Sequence, residues 1–280
     1  MTDTIRTVLI AVTERTGDEA PSAALAYGLA LAGQAGARAT VQAVSAKLVL
    51  PHAWISRFVA MLVAAENRRL RDLAEELAER ARGEAAAAGI LCRTQTQQLP
   101  EAELLASVRW QARLHDLTVT DAESRLLTGD RGLIETLLFE SGRPVIVVPP
   151  GVESFAAQRI LVAWDGSAQA ARAVHDALPF LKRAGAVEIV SVAGEKDLSG
   201  AVPGAELAPH LAHHGVAVTV TDLVAGDGDV AGTLRRHAAA SRADLLVMGA
   251  YVHSLLREMV LGGVTQALLG SCPVPLLLAH

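Results

Sequence analysis

Aromatic side chains are scarce in this sequence, at 3% of 280 residues, and cysteine occurs only twice. Cys92 and Cys272 lie far apart with no CxxC or ligand-type spacing, which excludes a disulfide scaffold and a zinc ribbon. They read as packed thiols of a reducing compartment. No apolar run approaches the ~18–20 residues of a membrane span. Near the start the longest such run is Val8–Val12, too short for a secretory core, and Asp3 stands where a basic segment would be needed. Basic residues are not in excess either. Lys and Arg number 25 against 30 Asp and Glu, a net charge of −5, so the chain has no overall electrostatic footprint for nucleic acid. The expectation is a cytoplasmic protein that engages neither membrane nor nucleic acid.

What the sequence has is small apolar residues. Hydrophobic residues make up 51%, and alanine alone supplies about one residue in five, a composition suited to close helix–sheet packing. The length favours two domains. Short β-rich runs alternate with helical patterns along the whole chain. Val8–Val12 is continuously apolar, as expected of a strand covered on both faces. Residues 55–88 form one long helical pattern, with Ile55, Phe58, Val59, Leu62 and Val63 as a stripe continued by Leu70, Leu73 and Leu77. Pro149-Pro150-Gly151 interrupts the alternation, and the boundary between residues 1–150 and residues 151–280 is placed there. After it the pattern restarts, with a helix over 168–183 that Pro179 should kink or shorten. A loop is expected between the strand over 245–248 and the last helix.

The two halves also match in sequence. Thr7-Val8-Leu9-Ile10-Ala11-Val12 resembles Arg159-Ile160-Leu161-Val162-Ala163-Trp164, and Asp116-Leu117-Thr118-Val119 resembles Asp244-Leu245-Leu246-Val247. The first pair is offset by 152 residues and the second by 128, so the first repeat carries about 24 additional residues, in its long helix. Each repeat therefore reads as an α/β unit built on a parallel sheet with helices on both faces. Ligands of such sheets sit at the carboxyl ends of the strands, near the point where the strand order reverses.

At those ends the second repeat places Asp165-Gly166-Ser167 after its first strand and Gly249 after its fourth, with Gly262-Gly263-Val264-Thr265 opening its last helix. Bare N–H groups at Gly262, Gly263 and Val264 suit a phosphate, Gly249 allows close approach of a ligand, and Asp165 can accept hydrogen bonds from a ribose or base. The same residues also read as a helix cap and loop formers.

Met248-Gly249-Ala250-Tyr251, Leu261-Gly262-Gly263-Val264-Thr265 and Pro273-Val274-Pro275 resemble the universal stress protein family, and the resemblance extends over both halves. It implies two tandem Rossmann-like domains of the adenine nucleotide alpha hydrolase type, each a five-stranded parallel sheet. It also implies an intramolecular pseudo-dimer joined along the fifth strands, Val145–Val148 and Leu276–Leu278, with a homodimer of the whole chain as a further assembly. The nucleotide-binding branch carries G-x2-G-x9-G-[ST]. Gly249 and Gly262 match its first and third glycines, Val252 replaces the second, and Gly263 stands at the Ser/Thr position. Asp165 matches the acidic residue near the nucleoside, and Val192 the position whose backbone meets adenine. The implied ligand is ATP with magnesium. Val252 is expected to send the loop along another path. In the first repeat Thr13 stands for Asp165 and Asp121 for Gly249, a carboxylate that would oppose phosphate.

Other constellations carry less. His210, His213 and His214 share a helix face at ligand spacing but sit at a helix end, where imidazoles favour the dipole. Arg68-Arg69-Leu70-Arg71 reads as a solvated helix face. No nucleophile elbow, P-loop or paired carboxylates appear, so neither a catalytic residue nor a metal site is assigned. Three functional readings follow: a stress-response binding protein with one adenine-nucleotide site and an unidentified protein partner; an interaction protein with both sites inactive; and a slow ATPase.

Overall fold

The computed structural model describes residues 5–14, 22–49, 56–122, 132–194, 204–250, 252–255 and 258–280. Asp3, Ile55 and Tyr251, used above, lie outside these. The first half runs β1 (Thr7–Glu14), α1 (Ala23–Ala35), β2 (Arg38–Ala46), α2 (Arg57–Ala87), β3 (Cys92–Leu99), α3 (Glu101–Arg113), β4 (Leu117–Asp121), α4 (Leu133–Glu140) and β5 (Val145–Val148). The second runs β6 (Arg159–Ala163), α5 (Ala168–Leu181), β7 (Ala186–Ala193), α6 (Gly204–His213), β8 (Thr219–Val224), α7 (Val230–Ala240) and β9 (Leu245–Gly249). It continues through β10 (Val252–Leu255), β11 (Glu258–Leu261), α8 (Gly263–Ser271) and β12 (Leu276–Ala279).

Ten strands form one sheet in the order β3-β2-β1-β4-β5-β12-β9-β6-β7-β8. In this sheet the pairings within each half are parallel, and the halves meet at an antiparallel pair, Ile146 opposite Leu277. The period-two geometry of a strand explains why the central runs are apolar throughout. Val8, Ile10 and Val12 enter the core beneath α1 and α2, whereas Leu9 and Ala11 enter the one beneath α3 and α4. Ile160 and Val162 divide from Leu161 in the same way, so each apolar layer is continuous across both halves. Tyr27 on α1, Phe155 and Phe180 on α5 extend this contact, with ring centroids 5.3 Å and 5.8 Å apart in succession.

Three expectations need correction. In α2 the buried residues are Leu70, Ala74, Leu77, Ala78, Ala81 and Ala85, while Phe58, Met61 and Leu62 are exposed. The reason is length. The 31 residues of α2 rise about 46 Å at 1.5 Å each, against roughly 26 Å for the eight residues of β3. The first turns therefore project past the carboxyl edge of the sheet. Second, α5 ends at Leu181 rather than at residue 183, shortened as Pro179 implied. The proline lies in the last turn, where buried Phe180 and Leu181 hold the chain in place. Third, the expected loop after β9 contains an antiparallel hairpin, β10 with β11.

Candidate functional site

The strand order reverses between β6 and β9, and Asp165, Val192 and Gly249 come together at the carboxyl ends of the neighbouring strands β6, β7 and β9. After β6 the Trp164 N–H still bonds the Val190 carbonyl, at 2.9 Å. Gly166, at φ +74, then turns the chain into α5. Asp165 Oδ1 accepts the Ser167 N–H at 3.0 Å, and Ser167 Oγ accepts the Ala170 N–H at 3.1 Å. Ser167 is thus the cap of α5, and the Asp165 carboxylate is oriented by the turn that leads to it.

Gly249 has a steric requirement of its own. A Cβ built there would stand 2.5 Å from the Ala170 nitrogen and 2.7 Å from the Gln169 carbonyl carbon. The close approach this glycine permits is that of α5 to the end of β9. Val252 opens β10 opposite Leu261, extended backbone that suits a β-branched residue. The residue in the place of the family's second glycine therefore lies in a hairpin.

The N-terminus of α8 is bare. Gly262 provides no side-chain cap, and the first turn contains no acidic residue. A Cβ on Gly263 would meet nothing within 4 Å. Thr265, at the third helical position, is 1% exposed, and its hydroxyl has no hydrogen-bond partner among the described residues. Val264 packs against the same apolar layer as Ala163 and Val192. Unpaired N–H groups, the positive end of the helix dipole and a buried hydroxyl without a partner suit an anion.

The first half treats the same positions differently. Asp121, the counterpart of Gly249, accepts the Ala24 N–H at 2.8 Å and the Ser22 hydroxyl at 2.7 Å, and so caps α1. Glu135, at the α4 position equivalent to Thr265, bonds back to the Gly132 N–H at 3.4 Å. The Asp121 carboxylate was expected only to oppose phosphate. Instead it is held by the helix end it faces, and the chain supplies its own anions at both helix starts. Sequence reading missed Ser22 and Glu135, although Gly132-Leu133-Ile134-Glu135 places Glu at the third position as a capping box does.

Elsewhere, His213 Nδ1 bonds the Pro209 carbonyl at 2.6 Å, and the His210 and His214 rings meet edge to face at 4.8 Å. Among the described residues no group of three His, Cys, Asp or Glu is arranged to hold a metal ion, and no helix is long and apolar enough to cross a membrane. Burial raises the Cys272 and Cys92 thiols above their ordinary pKa.

The sequence model of the Universal stress protein family matches residues 156–280. Residues 156–280 therefore carry the sequence pattern of this family. No curated protein sequence matches the chain. In structure it is similar to a universal stress protein from Archaeoglobus fulgidus DSM 4304, at 17% identity and TM-score 0.66, over 98% of both chains. It is also similar to a putative universal stress protein from Pseudomonas aeruginosa UCBPP-PA14, at 16% identity and TM-score 0.53, over 99% of this chain and 94% of that one. A functionally unknown protein from Pseudomonas aeruginosa PAO1 aligns at 16% identity and TM-score 0.51, over 99% and 93%. At these identities the likeness establishes the universal stress protein fold over both halves.

Proposed function

We propose that the chain is a stress-response binding protein whose second half takes an adenine nucleotide, ATP with magnesium. The observation that carries this reading is the start of α8, where the helix is uncapped and free of acidic residues and the Thr265 hydroxyl is buried without a partner. A phosphate there would accept the N–H groups of Gly263 and Val264 and the Thr265 hydroxyl. Family resemblance adds Asp165 as acceptor for the nucleoside and the Val192 backbone as the edge that meets adenine. The protein's work is binding; no bond-breaking step is assigned to its residues.

The test is calorimetric titration with ATP and magnesium after acid extraction of any nucleotide carried through purification. One site per chain, lost in Asp165→Ala and in Thr265→Val, is the expected result. The absence of both binding heat and carried nucleotide would overturn the reading. One observation favours the alternative of an interaction protein with both sites inactive: the close approach at Gly249 is made by α5 itself. Steady product release above a blank would instead support the slow ATPase.

A further inference from the structure

The overhang of α2, a helix of 31 residues where the second half has the ten-residue α6, creates a concave site in the first half. Where α2 leaves the sheet, a groove of about 670 Å³ opens between the helix and the carboxyl ends of β2 and β3. This is within the range of small-molecule sites. Its helical wall is the stripe Ala64, Asn67, Arg68, Arg71, Ala74 and Glu75, whose spacing keeps these residues on one face. Across the groove stand Lys47 at the end of β2 and the polar residues of β3.

The groove is held open by specific bonds. Asn67 clamps the backbone of Leu48, accepting its N–H at 2.8 Å and donating to its carbonyl at 3.0 Å. Gln98 Nε2 donates to the Asn67 carbonyl at 2.6 Å, tying β3 to the helix. Ser45 also lines the groove. It is 1% exposed, lies on the α2-facing stripe that Val41 and Ala43 begin, and its hydroxyl has no hydrogen-bond partner among the described residues. A buried hydroxyl left unpaired is costly unless something supplies the missing bond. Lys47, Arg68 and Arg71 form no ion pair among the described residues, and Glu75 is the one carboxylate lining the groove. Three cations against one anion leave an electropositive hollow floored by a hydroxyl.

We infer that this groove binds a small phosphorylated molecule. The guanidinium groups of Arg68 and Arg71 and the Lys47 ammonium hold its phosphate oxygens, and the Ser45 hydroxyl bonds the group that enters deepest. Arg68 and Arg71 are thus more than a solvated helix face. The site lies on the two outermost strands of the first half, away from the β6–β9 crevice, and does not depend on the nucleotide reading of the second half.

The probe is inorganic pyrophosphate, titrated calorimetrically into the full chain at low salt. A saturable site is expected that the double variant Arg68→Glu/Arg71→Glu weakens by at least about tenfold. Both residues are exposed, so the fold should survive, as thermal melting would confirm. Ser45→Ala separates binding from structure: it removes an unpaired buried hydroxyl, so it should weaken binding while the melting temperature stays level or rises. Thr265→Val, at the other site, should leave this binding unchanged. The inference fails if no saturable binding occurs, or if binding survives undiminished in Arg68→Glu/Arg71→Glu, in which case its loss in Thr265→Val would place the ligand in the second half.

Discussion

Gly249 and Gly263 belong to one sequence motif, yet replacing each with alanine should have opposite effects. At Gly249 the new Cβ would lie 2.5 Å and 2.7 Å from backbone atoms of Ala170 and Gln169, where ordinary contact begins near 3.4 Å. No flexible side-chain end is available to yield, so the start of α5 must move by nearly 1 Å, and the Asp165–Ser167 turn with it. Overpacking of this kind costs about 1–3 kcal/mol. At about 2–4 °C per kcal/mol for a chain near this size, the melting temperature of Gly249→Ala should fall by roughly 2–12 °C. At Gly263 a Cβ meets nothing within 4 Å, and the residue is the first of a helix. Gly263→Ala should therefore be neutral or stabilise by up to about 1 kcal/mol. Thermal and urea denaturation followed by circular dichroism measures both. Equal shifts in the two variants, or a Gly249→Ala protein that melts with the wild type, would refute the packing argument.

Three further outcomes are expected. Asp121→Ala removes the carboxylate that caps α1 and should cost about 1–2 kcal/mol in urea denaturation. Leu277→Ala opens a cavity at the junction of the halves, where the residue is fully buried, and should cost about 2–5 kcal/mol. Because the apolar layers are continuous, a single transition should report that loss from both halves. The thiols of Cys272 and Cys92 are raised above their ordinary range by burial. At pH 8 both should alkylate more slowly than a free thiol, with half-buried Cys92 the faster of the two by mass spectrometry. A raised acid favours the neutral form in the fold, so their contribution is intact below the free thiol value of about 8.5 and declines as pH rises through the folded values.

Much of the architecture was legible because parallel strands buried on both faces leave an unmistakable mark: Val8–Val12 and Ile160–Val162 are apolar at every position, and their partners recur at matching places. The direction of a helix's apolar face was legible; where the helix stops touching the sheet was not. Phe58 and Leu62 continue a plausible stripe, yet they lie in turns that project beyond the strand ends, and only the relative lengths of α2 and β3 expose this. The site divides in the same way. Asp165, Val192 and Gly249 could be placed at one edge from strand order alone. The role of Asp121 could not, because its partners Ser22 and Ala24 lie almost a hundred residues earlier in the chain.

These unreadable contacts are where the two repeats have diverged. Every helix that starts at the carboxyl edge presents unpaired N–H groups and a positive dipole end, and something must answer them. In the first half Asp121 and Glu135 do so from within, which ties α1 and α4 to the sheet and places negative charge at both helix starts. In the second half the equivalent residues are Gly249 and Thr265. Neither carries charge, and the Thr265 hydroxyl is buried without a partner. A duplicated fold can therefore keep its strand order and core while two positions decide whether a helix start faces a carboxylate of the chain or an uncharged residue. The insertion in α2 acts on the other half of the molecule: it adds a cationic groove to the repeat whose helix starts are already occupied by its own carboxylates.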